Sequence, residues 1–191
     1  MAIDLILGLG NPGAEYVRTR HNIGFDVVAE VMRRRGRADW TLQTDAEISV
    51  ITPGRLVVLA RPLRYMNRSG EVALRLLQDL DIAVDRMLVV VDDIDLPLGA
   101  LRLRLNGGPG THNGLRSLHT EVGDAFARLR VGVRGTGPVD SLADYVLSSF
   151  EEAEGEMVGA VIERAADAVD CILSDGFERA MNTFNRAPEQ F

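Results

Sequence analysis

No lysine occurs anywhere in this sequence, so all 21 basic residues are arginine. That absence excludes a P-loop lysine, a Schiff-base lysine and a pyridoxal-phosphate enzyme within the chain. Cysteine is reduced to Cys171 alone. A single thiol allows neither an internal disulfide nor a multi-cysteine metal cluster, and Cys171 is expected to pack as a small apolar residue in a C-terminal helix. Long apolar runs are missing too: stretches such as Met87 to Val91 fall far below the roughly 20 residues that cross a bilayer, and Asp4 stands where a signal peptide carries positive charge. A cytoplasmic protein without membrane contact is expected.

What is present describes a folded globule. The chain has 191 residues, 46 % hydrophobic and 26 % charged, with no repetitive tract, and is expected to form one domain over residues 1–191. Its 28 acidic residues against 21 basic ones give a net charge of −7, which works against diffuse nucleic-acid binding and leaves room for a local basic patch.

The apolar run Ile3 to Leu9 predicts a buried strand, and "NIGFDVVAEVMRRRG" places Ile23, Val27, Val28, Val31 and Met32 at helical spacing, with Gly36 as a stop. "DAEISVI" and "RLVVLAR" predict two strands joined by a turn at Pro53-Gly54, followed by a helix over Ser69 to Leu80. "MLVVVDD" is the clearest buried strand. Beyond it, "ALRLRL" alternates as a half-exposed strand does, "NGGPGTHNG" is a glycine-rich loop, a short helix starts near Leu115, and "ARLRVGV" is a strand with Arg128 and Arg130 on one face. Helical segments over Val139 to Leu147 and Glu151 to Leu173, then a last helix through Phe177 and Met181, complete the chain. Alternating strands and helices predict an α/β fold: a single domain with a twisted, mixed, largely parallel sheet and helices on both faces.

Gly8, Gly10 and Gly13 match the dinucleotide fingerprint G-x-G-x-x-G after that first strand. A nicotinamide oxidoreductase needs the helix to begin within the glycines so that its amides meet the pyrophosphate. Here Pro12 sits inside the motif, polar residues delay the helix, and Trp40-Thr41-Leu42-Gln43 supplies no strand ending in an acidic ribose ligand. The stretch reads better as an Asn-Pro-Gly turn and a loop ending in His21-Asn22. Asn11 and His21 then fall at the carboxyl end of a strand, where open α/β sheets place their sites. On local sequence alone, turn and helix capping account for both residues better than a site does.

Three further loops add chemistry at strand ends: Tyr65, Met66 and Asn67 in "RYMNRSG", Asp92 in "VVVDDID", and His112 and Asn113 in "GTHNG". Each has a plain structural alternative as a cap or turn residue; their coincidence points to a site. A metal centre from Asp92, Asp93 and Asp95 with His21 or His112 matches no zinc spacing. His119 is expected on the surface, and "MRRRG" reads as a helix C-terminus favoured by the dipole rather than an RNA-binding run.

Taken together, "GLGNPGAEYVRTRHNIGF", "RPLRYMNRSG", "VVVDDIDLPLGALRLR", "GGPGTHNGLRS" and "RLRVGV", in that order, resemble the bacterial-type peptidyl-tRNA hydrolases over nearly the whole chain. The resemblance implies hydrolysis of the ester joining a peptide to the 3′ ribose of tRNA, without a cofactor or metal, by a monomer that recycles tRNA. It assigns His21 as the catalytic base, Asp92 as the carboxylate supporting it, and Asn11 as the residue that separates N-blocked from free aminoacyl-tRNA. Tyr16, Tyr65, Asn67 and Asn113 match substrate contacts, with Met66 and His112 nearby, and Arg104 and Arg130 match basic residues that clamp the tRNA 5′-phosphate.

The residue types suit that chemistry. A neutral imidazole can take a proton from water attacking an ester, and a carboxylate on its other nitrogen sets the tautomer. No G-x-S-x-G is present and Cys171 lies far from every motif, so direct water attack is preferred to an acyl-enzyme. Asn67 or Asn113 could bind the oxyanion, and Arg forks suit phosphate. Thr111, Pro109, Arg64 and Arg68 depart from the family pattern; they imply a stiffer glycine loop, or a phosphate contact from Arg68. A non-catalytic RNA-binding relative is the alternative outside enzymes.

Overall fold

A computed structural model describes residues 2–36, 39–51 and 56–186; the turn expected at Pro53-Gly54 lies outside them. Its strands are β1 (Leu5–Gly8), β2 (Thr41–Gln43), β3 (Ala46–Ile51), β4 (Val57–Pro62), β5 (Met87–Pro97), β6 (Leu101–Arg104) and β7 (Ala127–Arg134). They form one seven-stranded sheet in the order β2-β3-β4-β1-β5-β7-β6. The four central strands are parallel, β1 lying between β4 and β5 and β5 pairing on with β7, while both edges are antiparallel. Helices α1 (Ile23–Arg34), α5 (Gly155–Asp175) and α6 (Phe177–Phe184) cover one face, and α2 (Ser69–Asp79) and α3 (Asn113–Val122) the other. This double cover is why β1 and β5 are apolar without alternation.

The chain leaves β1 toward β4 and then crosses back to β5, so the topological switch falls at β1, and a crevice opens at the carboxyl ends of the strands around it. Glycine sets how closely α1 approaches that edge. A side chain on Gly24 would meet the carbonyls of Leu9 and Val90, and one on Gly8 would meet Gly24 itself. Gly10 lies against the ring of Phe25. Two of the fingerprint glycines thus serve strand–helix packing, and α1 begins at Ile23, well past Gly13.

Several boundaries differ from the sequence expectations. The segment Thr41–Gln43 forms a short, largely exposed edge strand, too brief for a periodicity signal. β5 continues to Pro97, with an irregular register to β7 between Asp93 and Pro97, the kind of local distortion that re-aims side chains beside a site. α3 starts at Asn113 instead of Leu115 because the His112 side chain caps it. α4 (Leu142–Leu147) starts later than Val139, and α5 starts at Gly155 after a capping box between Glu151 and Glu154. The arginines of "MRRRG" do end α1: Arg33 and Arg34 pair with Glu30, and Arg34 and Arg35 reach Asp167 and Asp170 of α5.

The turn before α1 is held by Arg20, which is buried between the rings of Tyr145 and Phe150 at 4.4 and 4.6 Å. It donates to the Val133 carbonyl at 2.9 Å and to Glu154 Oε2 at 2.6 Å. His21 therefore follows a residue locked to β7, α4 and the start of α5.

Asp26, on the same helix, is part-buried; burial pushes its carboxyl up to about 6, against the pull of Arg61 and Arg18. A carboxyl raised in the folded state costs stability as pH rises from its unfolded value toward the folded one. Asp26→Asn is therefore expected to stabilise the protein by about 1–3 kcal/mol at pH 7 and by almost nothing at pH 4. Melting curves at the two pH values check this; equal shifts at both would refute it.

Candidate active site

Asp92, near the end of the buried run of β5 and 5 % exposed, is the centre of the site. Its Oδ1 lies 2.9 Å from His21 Nδ1 and 2.9 Å from His112 Nε2. The other ring nitrogen of His112, Nδ1, accepts the amides of Gly114 and Leu115 at the start of α3, at 3.1 and 3.3 Å. Since Nδ1 accepts, Nε2 of His112 must carry the proton and donate it to Asp92. His21 donates Nδ1–H to the same oxygen, and its Nε2 keeps a lone pair. The two rings stand 4.8 Å apart between centroids.

Burial alone would push the Asp92 carboxyl up, but His112 and His21, through charge and hydrogen bonding, outweigh it and hold the group below the usual carboxylate range. Asp92 is thus ionised throughout the pH range in which an imidazole base works. His21, Asp92 and His112 also bring three metal-ligating atoms within 4.8 Å of one another. As placed, the imidazole nitrogens nearest Asp92 are both spent on it, and His112 Nδ1 is spent on the cap of α3.

His21 lines two neighbouring cavities. One, of about 230 Å³, is lined by Asn11, Tyr16, Tyr65, Met66, Asn67 and Asn113. The other, of about 260 Å³, holds Asp92, Asp93, Arg130 and the loop residues from Gly108 to Asn113. Ala143 and Val146 of α4 wall both. Tyr16 and Tyr65 meet edge to face with centroids 6.3 Å apart, Met66 is buried, and Asn67 and Asn113 are exposed. Asn11 is buried and fully ordered: Asn22 accepts its backbone N–H at 2.8 Å and donates to its carbonyl at 2.9 Å, while Asn11 Oδ1 accepts the Met66 N–H at 2.7 Å. That leaves Asn11 Nδ2 as the donor available to the cleft.

Arg104 lies apart, exposed on β6 and outside the lining of these two cavities, with Arg128 as its cross-strand partner. Arg20, Ala143 and Val146 are site-building residues that sequence patterns did not single out, while Asn22 and Asp93 were seen beside His21 and Asp92 without the roles they take here. For Arg20, Ala143 and Val146 no local signal exists, because their roles arise from contacts between elements distant in sequence.

A family model described as peptidyl-tRNA hydrolase matches residues 5–190. The chain belongs to the peptidyl-tRNA hydrolase family. A peptidyl-tRNA hydrolase from a Roseiflexus species is 46 % identical over 189 residues, covering 96 % of this chain and 86 % of that protein. One from Geobacillus thermodenitrificans is 43 % identical over 183 residues, covering 95 % and 98 %. The crystal structure of peptidyl-tRNA hydrolase from Acinetobacter baumannii superposes with a TM-score of 0.85 at 34 % identity, covering 97 % of this chain and 95 % of that one. Peptidyl-tRNA hydrolysis is accordingly the activity of this chain.

Within this hydrolase the departures around the cleft have local partners. Arg68 is clasped by Glu71 at 2.7 Å and Arg64 pairs with Asp45 at 2.9 Å. Thr111 and Pro109 line the cavity beside Asp92. Among the described residues no helix of the hydrolase is long and apolar enough to cross a membrane.

Proposed function

We propose that the hydrolase cleaves the peptide–tRNA ester by direct attack of water, with His21 Nε2 as general base, and so recycles tRNA in the cytoplasm. The observation that carries this is the shared Asp92 oxygen: accepting from both imidazoles, it leaves His21 with one free lone pair directed at the cleft. Water is the nucleophile and needs no cofactor. Asp92 stabilises the imidazolium that forms, as a triad carboxylate does. His112 supports Asp92 by donating to that same oxygen.

The exposed carboxamides of Asn67 and Asn113 supply uncharged donors for the oxyanion without competing for the proton. Asn11 serves a different need. With Oδ1 engaged by Met66, its Nδ2 can donate to a carbonyl of the blocked amino acid, a group that free aminoacyl-tRNA lacks on its nitrogen. Tyr65 and Tyr16 pack against the terminal sugar or base, and Arg104 and Arg130 grip the 5′-phosphate in the forked geometry that arginine favours.

Incubation with N-acetylated and free aminoacyl-tRNA tests this. Release of tRNA from the blocked form alone is expected; equal release from both would remove the role of Asn11. No release from either would leave the fold as an RNA-binding module.

A further inference from the structure

On β6 and β7 four arginines form a two-by-two block on one face. The register sets Arg102 opposite Arg130 and Arg104 opposite Arg128, while alternation turns Leu101, Leu103, Leu129 and Val131 into the core on the other. The four are not equivalent. Arg128 is buried, its guanidinium 4.5 Å over the Phe126 ring and one N–H donated to the Gly108 carbonyl at 3.1 Å. Arg130 is the one that lines the catalytic cavity, and its Nε lies 2.7 Å from Asp93 Oδ2.

That contact is asymmetric. The Asp93 side chain is 4 % exposed and the Arg130 side chain 36 %, so a fixed carboxylate forms an ion pair with a half-free guanidinium on its Nε side, by charge and proximity and not through an aligned hydrogen bond. Among the described residues no hydrogen bond engages the two terminal nitrogens, the pair that forms a fork on phosphate oxygens. Asp93 is itself aimed: its Oδ1 accepts the Asp95 N–H at 3.0 Å, within the stretch where the register of β5 becomes irregular.

We infer that Asp93 is a positioning residue for recognition of a terminal phosphate, holding Arg130 on its Nε side so that its outer nitrogens meet the phosphate oxygens of the tRNA 5′ end. This rests on the proposal that Arg104 and Arg130 grip that phosphate. Successive strand residues point to opposite sides and have Cα atoms about 3.8 Å apart. One strand end therefore sets both the base, through Asp92, and the RNA anchor, through Asp93, which fixes the span between the hydrolysed ester and the 5′ terminus.

Asp93→Asn is the informative change. Oδ1 accepts a backbone N–H and Oδ2 faces the Arg130 cation, so a carboxamide keeps its oxygen on the strand and turns its NH2 toward the guanidinium, which loses its charge partner and moves away. With N-acetylaminoacyl-tRNA carrying a 5′-phosphate, KM is expected to rise about tenfold and kcat to stay within about twofold, the loss of one charge-assisted, preorganised contact. With the same RNA bearing a 5′-hydroxyl, variant and parent should be indistinguishable, and Asp93→Glu should restore most of the phosphate preference. A misfolded or merely weakened enzyme would lose equally on both substrates, and that result, or an unchanged phosphate preference, overturns the inference. Arg130→Ala in the same two assays separates the layers. If it abolishes the preference while Asp93→Asn keeps it, only the positioning role falls; if it too keeps the preference, the phosphate grip itself is wrong.

Discussion

Replacing His21 by alanine is expected to lower turnover of N-acetylaminoacyl-tRNA by about 10³-fold or more, within the range that a positioned general base contributes. The prediction follows from the hydrogen bonds around Asp92: His112 Nε2 is committed as a donor, so no second imidazole lone pair faces the cleft at that position. Substrate binding should change little, because Asn11 is ordered by Asn22 and Met66, independently of the imidazole. The fold should persist, since the turn is anchored through Arg20. Single-turnover rates, circular dichroism and rescue by added imidazole check the three parts. A variant that keeps more than a tenth of the activity with the fold intact would remove His21 from the chemistry.

Asp92→Asn has the second largest expected effect, and its size depends on His112. A carboxamide can offer either its oxygen or its NH2 to the two imidazoles. His112 is pinned by the α3 amides in the tautomer that must donate from Nε2, so it selects the oxygen and thereby keeps His21 in its working tautomer. The single substitution then removes only the negative charge that stabilises the imidazolium, a loss of about 10²-fold. Adding His112→Ala frees the carboxamide to turn, and the wrong tautomer of His21 should take the total toward about 10⁴-fold, the scale seen when a triad aspartate becomes asparagine. His112→Ala alone should cost much less, because ionised Asp92 still accepts from His21. Rates for the three variants form a cycle whose non-additivity is the measurement; simple additivity would show that His112 does not orient the group.

The same substitution bears on acid stability. Asp92 is held below the usual carboxylate range, so its ionised form stabilises the native state above the unfolded value, and that contribution fades as pH falls through the folded one. The parent enzyme should lose stability relative to Asp92→Asn on acidification below about pH 4, where unfolded carboxylates begin to protonate.

The elements most legible in the sequence were those whose burial is periodic. α1 and α2 were evident from apolar spacing, and β5 from an unbroken valine run, because each buries one continuous surface against the sheet. The start of α3 was not, since a histidine cap carries no standard signature, and β2 was too short to show a pattern. The order of the strands was beyond periodicity altogether: that β1 lies between β4 and β5 depends on crossovers spanning dozens of residues. Of the candidate site, most residue types were readable from four loops at strand ends. Arg104 was grouped with them by resemblance, although it sits out on the edge strand.

The amino-acid sequence determined which groups were available: three histidines, one cysteine, no lysine, and carboxamides at the ends of buried strands. Tertiary structure alone decided that one oxygen of Asp92 serves two imidazoles, that Asn11 keeps only its NH2 for a ligand, and that Asp93 takes Arg130. The reason is range. Side-chain periodicity reports what each residue buries among near neighbours, whereas His21 and Asp92 meet across 71 positions. Such a contact exists only once glycine-limited packing of α1 on β1 and the register of β5 beside β7 have brought the strand ends into one crevice.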